Sequence, residues 1–286
     1  NEFRCIPNIM NSYPVILGLL NIFKEDESKK VKVLLDKLLG FILNSQDEAG
    51  QFNYSFGDVL STPRPPIIQI CASISLMEYY NLFREKYVLE SVKTNIDFIK
   101  SHFCHKNSAI LKNNVVNQNA MFMKLLIKNF KYTGERKFLD SIEILKDFIL
   151  QYQHSNGGFF HGNHLPDQLS FYNTKVGLGL LSYYRAFKDE SIIEPIKKLY
   201  FFLLKCYNSD LSLFSHGFYP KLSIINRAYR KFFVKKTANE LCRFYKKLDF
   251  KREDLQSFFI PRSANTFRLL KMVQEEFEIN SPFDPR

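Results

Sequence analysis

Apolar positions in this chain come in paired runs, and the pairs recur about every 54 residues. The first run of each pair closes on a phenylalanine followed by a basic residue: Phe23-Lys24, Phe83-Arg84, Phe130-Lys131 and Phe187-Lys188. After a short polar stretch, the second run carries an aromatic–aliphatic pair: Phe41-Ile42, Phe98-Ile99, Phe148-Ile149 and Phe202-Leu203. In the second runs the apolar residues sit at i, i+3, i+4 and i+7, as in Leu35, Leu38, Leu39 and Ile42 or Leu145, Phe148, Ile149 and Tyr152. That spacing predicts amphipathic helices with one buried stripe. The first runs (13–23, 67–83, 119–130 and 172–187) are apolar on most sides and carry small residues such as Gly18, Ala72 and Gly177, so they predict helices buried on most sides. Self-similarity at this period is the mark of stacked helical hairpins.

One helix of each hairpin is therefore inner and the other outer. The predicted fold is all-α: an α/α toroid, complete or incomplete, of five to six hairpins in two helix layers. One domain, 1–286, is expected, with clear repeats over 12–206 and a divergent closing part, 207–286. Within that part, residues 221–248 read as a poorer fifth hairpin and 262–277 as one further helix. Turns inside the hairpins are short and charged (25–28, 133–136). Connections between hairpins are long (46–66, 104–116, 154–170, 207–221, 249–261) and leave from the end where the inner helices begin. Long loops on a rigid scaffold are where function concentrates, so the site is expected there.

Composition changes this picture little. The net charge of +11 favours an anionic partner, and an acidic oligo- or polysaccharide fits better than nucleic acid because Lys and Arg are scattered among helix-forming residues. The 29 Phe and 15 Tyr, without Trp, predict an aromatic-rich core. Cys5, Cys71, Cys104, Cys206 and Cys242 are odd in number and far apart, which argues against a disulfide framework or zinc finger and for reduced, buried thiols. No signal peptide is visible and no apolar run reaches the length of a membrane span, so a cytoplasmic protein without a transmembrane segment is expected. The chain starts at Asn1 rather than Met, which is compatible with a trimmed N-terminus.

Candidate chemistry gathers in the long connections, where all six histidines lie or to which they lead. The richest runs from His154 to Thr174 and holds His161, His164, Asp167 and Tyr172. General acid–base work by His161 or His164, oriented by Asp167, is preferred to zinc ligation by the same three residues, since no helical HExxH pattern supports a metal; no metal or cofactor is expected. Asp58 occupies a place similar to Asp167 one repeat pair earlier, and two carboxylates at a cavity mouth would suit glycoside hydrolysis. His216 completes the candidate catalytic set. Tyr54, Arg64, Asn117, Gln118, Asn173, Tyr219, Arg227 and Arg262 are candidate substrate-binding residues, because amides, phenols and guanidinium groups at helix starts can bind sugar hydroxyls or carboxylates. The same amides can serve as ordinary helix caps.

Two of the connections carry a recognisable element. Gln46-x3-Gly50-x-Phe52 and Gln153-x3-Gly157-x-Phe159 resemble the Q-x3-G-x-W/F element that follows outer helices in α/α-toroid proteins, among them terpenoid cyclases, protein prenyltransferase β-subunits and carbohydrate-active families. The resemblance covers residues 10–206. No acidic DxDD motif of a class II terpene cyclase is present, and Cys104 lacks the setting of a prenyltransferase or lanthionine-cyclase zinc ligand. The carbohydrate-active toroids impose less fixed motifs, and resemblance to them implies a lyase, a uronate epimerase or a hydrolase. In the first two, Asn or Arg would neutralise a uronate carboxylate while Tyr or His removes the α-proton. An isoprenoid or terpenoid-cyclase-like protein with a Phe-rich cavity, and a non-catalytic binding or scaffold toroid, are the alternatives.

Overall fold

A computed structural model of the chain describes residues 9–53, 65–162, 168–208, 213–214, 217–218 and 252–279. The expected single domain, 1–286, is divided into two compact units: Asn1–Ile149 with Arg185–Lys188, and Leu150–Tyr184 with Asp189–Arg286.

The first unit is built from α1 (Ile9–Asp26), α2 (Lys29–Asn44), α3 (Pro66–Phe83), α4 (Lys86–Phe103), α5 (Val116–Thr133), a 3-10 turn (Arg136–Phe138) and α6 (Leu139–Leu150). They pair as successive hairpins. α3 packs against α1 on one side, α5 on the other and α4 behind it. In α3, 12 of 18 residues are buried, against 6 of 18 in its hairpin partner α4, so the odd helices form the inner row. The apolar patterning of the two runs thus reports burial on all sides and on one stripe respectively.

The repeated phenylalanines meet one another. The rings of Phe23 and Phe83 lie 5.1 Å apart and those of Phe130 and Phe187 5.9 Å apart, joining the ends of neighbouring inner helices. Each such pair contributes about 0.5–1.5 kcal/mol beyond the area it buries. The basic residue that follows has a backbone role. Arg84 adopts φ +58° and donates its N–H to the Tyr80 carbonyl, the left-handed end of α3, and Lys188 has φ +53° after α7. α5 runs a turn beyond Phe130, and Gly134 (φ +74°) closes it instead. The outer aliphatic partners Ile42, Ile99, Ile149 and Leu203 are all fully buried.

The second unit contains α7 (Ser170–Phe187, up to Tyr184), a 3-10 turn (Glu190–Ile192), α8 (Ile193–Lys205) and α9 (Arg252–Phe277). Two small antiparallel ladders accompany them: β1 (Gln168–Leu169) with β4 (Gly217–Phe218), and β2 (Tyr207–Asn208) with β3 (Leu213–Phe214). α9 packs on α8, and against α7 it comes so close that a Cβ on Gly177 would stand 2.4 Å from Leu269 Cδ2. The Thr174 and Thr266 hydroxyls meet at 2.7 Å in that contact.

α9 corrects one expectation. A connection was expected over 249–261 with the helix starting at 262, but the helix begins at Arg252 and runs through Pro261. Proline removes one N–H donor and crowds the preceding turn, which bends a helix without having to end it. The expected fifth hairpin, 221–248, lies outside the described residues. So do Cys5 and Cys242; Cys71, Cys104 and Cys206 are buried free thiols. Among the described residues, no helix is long and apolar enough to cross a membrane.

Candidate functional site

Both Q-x3-G-x-F loops are held by the same set of bonds. In the first unit Gln46 pairs with Phe52 in a β-bridge, and Gln46 Nε2 donates to the Gly50 carbonyl (3.1 Å) and to the Ser91 carbonyl on α4 (2.9 Å). In the second unit Gln153 pairs with Phe159, and Gln153 Nε2 donates to the Gly157 carbonyl (3.0 Å) and to the Pro195 carbonyl on α8 (2.8 Å). The glycines sit at φ +90° and +92° with the next outer helix against them. A Cβ on Gly50 would meet Thr94 at 2.8 Å, and one on Gly157 the Lys198 carbonyl oxygen at 2.2 Å. Only glycine satisfies both the backbone angle and the approach.

A second clasp reaches in from the inner helix. The Phe52 N–H donates to Gln69 Oε1 (2.7 Å), while Gln69 Nε2 donates back to the Phe52 carbonyl (2.8 Å). Asn173 treats Phe159 the same way, accepting its N–H at 2.6 Å and donating to its carbonyl at 3.1 Å. In the middle connection Asn119 Oδ1 accepts the Leu111 N–H at 2.9 Å, next to a Cys104–Leu111 bridge. Gln69, Asn119 and Asn173 each stand fourth in their helices, α3, α5 and α7.

This overturns the substrate-binding role expected of Asn173. Its amide is 1% exposed and engaged by loop backbone at both ends, so it fixes the loop. Gln69 and Asn119 were passed over in the sequence. The signal that would have found them is an amide at the same place in successive inner helices, four residues from each helix start.

His161 and Tyr172 do come together. Their rings stack with centroids 4.3 Å apart and planes inclined by 19°, and Phe171 packs on Tyr172 at 4.0 Å. The Phe159 clasp is what sets this contact, because it pins the chain two residues before His161 to α7 one residue after Tyr172. His161 is half-buried, and its Nδ1 is buried with no hydrogen-bond partner among the described residues. Burial, aided by the charge of Lys175, pushes its pKa below the ordinary histidine value of 6.5. A neutral imidazole with an uncommitted ring nitrogen, beside a phenol and a lysine, can accept a proton from a substrate carbon.

The other candidates are dispersed or undescribed. Asn117 is buried in the first turn of α5, with no partner for Oδ1 among the described residues, and Gln118 accepts a bond from Asn113 Nδ2 at 2.9 Å near the surface. Arg262 falls within α9, and its side chain is outside the described set. Tyr54, Asp58, Arg64, His164, Asp167, His216, Tyr219 and Arg227 lie outside the described residues. Among the described residues, no group of three or more His, Cys, Asp or Glu side chains could hold a metal ion.

No protein-family model and no curated protein matches this sequence. Solved structures do match. A glycoside hydrolase family 76 mannosidase from Bacteroides thetaiotaomicron aligns with 93% of this chain and 72% of its own, at 12% identity and a TM-score of 0.64. The family 76 α-mannanase from the same organism aligns with 77% of this chain and 66% of its own, at 11% identity and a TM-score of 0.62. Cellobiose 2-epimerase from Spirochaeta thermophila aligns with 76% of this chain and 63% of its own, at 12% identity and a TM-score of 0.63. The chain thus spans just under two thirds of the last two proteins. Taken with the hairpin rows and the clasped loops, these matches show an all-α fold of the α/α-toroid class.

Proposed function

We propose that the chain is a carbohydrate-active protein that acts on an acidic oligo- or polysaccharide by proton abstraction next to a carbonyl or carboxylate carbon. The observation that carries this reading is the His161–Tyr172 stack: a half-buried imidazole held neutral, with Nδ1 uncommitted, beside Lys175. The names of the structural neighbours, mannosidases and sugar epimerases, favour a sugar ligand.

In the proposed step the C–H bond α to the carbonyl breaks, the proton passes to His161, and the electron pair moves onto the carbonyl or carboxylate oxygen. Lys175 opposes the charge developing there. Return of a proton to the opposite face gives an epimer, with Tyr172 as the donor. Departure of a β-leaving group instead gives the unsaturated product of a lyase. A hydrolase would draw on Asp58 and Asp167, and nothing described favours that alternative over the proton-abstraction route.

The test is to incubate the protein with oligogalacturonate, a sulfated oligosaccharide, cellobiose and mannose in deuterated water and follow the α-carbon by NMR. Deuterium should enter an acidic sugar, and His161→Gln should slow the entry by roughly a hundredfold or more. No exchange and no new chain ends with any of the four sugars would sink the proposal.

A further inference from the structure

The first unit has a concavity that the His161–Tyr172 chemistry does not use. It is an open cleft of about 670 Å³ formed by the last turn of α4, the connection that follows it and the first half of α6. Lys100, Lys106, Lys112 and Lys137 line it, against a single carboxylate, Asp140. The lysines are anchored rather than scattered. The ammonium groups of Lys100 and Lys137 lie 5.0 and 4.8 Å from the centroid of the same ring, Phe138. Lys112 donates to the His102 carbonyl at the end of α4 (2.9 Å), and the charges of Lys100 and Lys112 both bear on Cys104. The counter-charge is thin: Glu135 stands 3.6 Å from Lys137 but also serves Lys93 at 2.7 Å. Like charges gathered in a recess repel, and an anion entering it relieves that repulsion.

The chemistry between the lysines narrows the class of anion. Hydroxyls of Ser101, Ser108 and Ser141 line the cleft and can donate to or accept from sugar hydroxyls. Ile144, 41% exposed, offers an apolar patch for a ring face. The one aromatic ring that anchors lysines here, Phe138, is 3% exposed, so it gives no platform for the base stacking on which single-stranded nucleic acids rely. The volume suits a ligand of small-molecule size and is far too small for a duplex.

We propose that this cleft binds a short anionic oligosaccharide segment, sulfated or carboxylated, through Lys100, Lys106, Lys112 and Lys137. The proposal rests on the glycan reading for its sugar, but not on His161 acting as a base.

The test is calorimetric titration with a heparin-derived tetrasaccharide, an oligogalacturonate of the same length, a neutral mannotetraose and a single-stranded oligonucleotide. The acidic sugars should bind and the neutral one should bind at least about tenfold more weakly. The triple variant Lys106→Gln, Lys112→Gln, Lys137→Gln should lose about tenfold or more in affinity for the acidic sugars, with a flatter salt dependence. The matching Lys→Arg triple should bind as the unaltered protein does, which separates charge from folding, and His161→Gln should bind normally. The cleft proposal fails alone if the glutamine triple binds acidic sugars unchanged, if neutral and acidic sugars bind equally, or if the oligonucleotide binds best. If no saccharide binds at all, it fails together with the glycan reading. Lysine-dependent binding without any His161-dependent exchange supports the cleft and defeats the catalytic reading.

Discussion

The loops 46–52 and 153–159 share one framework and differ in what braces it. In the first, the bracing comes from the helices: Asn95 of α4 donates to the Gly50 carbonyl (2.7 Å) and to Gln69 Oε1 (2.8 Å), and Ser73 of α3 donates to Asn95 Oδ1 (2.8 Å). In the second, the bracing comes from the loop's own continuation. Asn156 and Gln168 exchange bonds of 2.7 and 3.1 Å, and Asn156 Oδ1 also accepts the Gly158 N–H. The first network is sealed inside the helix pair. The second ties residues just before Phe159 to β1, which leads into α7, and so fixes 160–162 alongside Tyr172. The repeat therefore supplies the frame in both places, and the relocated bracing is what presents a histidine in only one of them.

Matched substitutions break this comparison most sharply at the glycines. Gly157→Ala should cost about 3 kcal/mol or more, because its Cβ would meet a backbone oxygen at 2.2 Å as well as adopt a left-handed φ. Gly50→Ala should cost less, about 2 kcal/mol, since one of its two closest neighbours is a movable Thr94 methyl. Chemical denaturation measures both, and equal costs would remove the distinction.

The clasps come next. Asn173→Ala leaves the Phe159 N–H and carbonyl buried and unpaired and should cost about 2–3 kcal/mol. It should also abolish the proposed activity, by freeing His161 from Tyr172. Gln69→Ala should cost a similar amount while sparing that activity. Denaturation combined with the deuterium-exchange assay separates the two. Should Asn173→Ala destabilise the protein yet leave exchange intact, the second loop would be no more functional than the first.

Acid sharpens the comparison further. Because burial lowers the pKa of His161, the unfolded chain binds that proton more readily than the folded one. His161 therefore costs stability as the pH falls below about 6.5 and costs nothing above it. The same neutral imidazole should sustain exchange below the pH at which an ordinary histidine would be half protonated. Lys175→Gln should give the smallest effect, moving the acid limb of a pH–rate profile modestly upward by removing the secondary, charge-based part of the shift. An unmoved limb would mean that Lys175 does not act on His161.

Much of the frame was legible in the chain because burial writes itself as periodicity. The one-sided stripe of α4 and the all-round apolarity of α3 predicted their layers, and the recurring Phe23, Phe83, Phe130 and Phe187 proved to be contacts. The Q-x3-G-x-F element was legible because its glycine is conformationally irreplaceable. Asn173 was not. An amide at a helix start can bind a ligand or a neighbouring loop with the same atoms, and only the partner's position decides. The start of α9 was hidden by Pro261, which punctuates sequence more firmly than it interrupts a helix. The pairing of β1 with β4 left no pattern, since two residues are too few to alternate. Of the candidate site, the His161–Tyr172 contact followed from placing both in one loop-to-helix connection.

The most direct measurement is a titration of the His161 ring signals by NMR with oligogalacturonate and with a neutral oligosaccharide of equal length. The acidic sugar should shift the His161 and Tyr172 resonances together and saturably, with an imidazole that titrates below the ordinary histidine range in the free protein. Signals that stay fixed with every saccharide, or a His161 that titrates as an exposed histidine, would contradict the assignment of this stack as a sugar site.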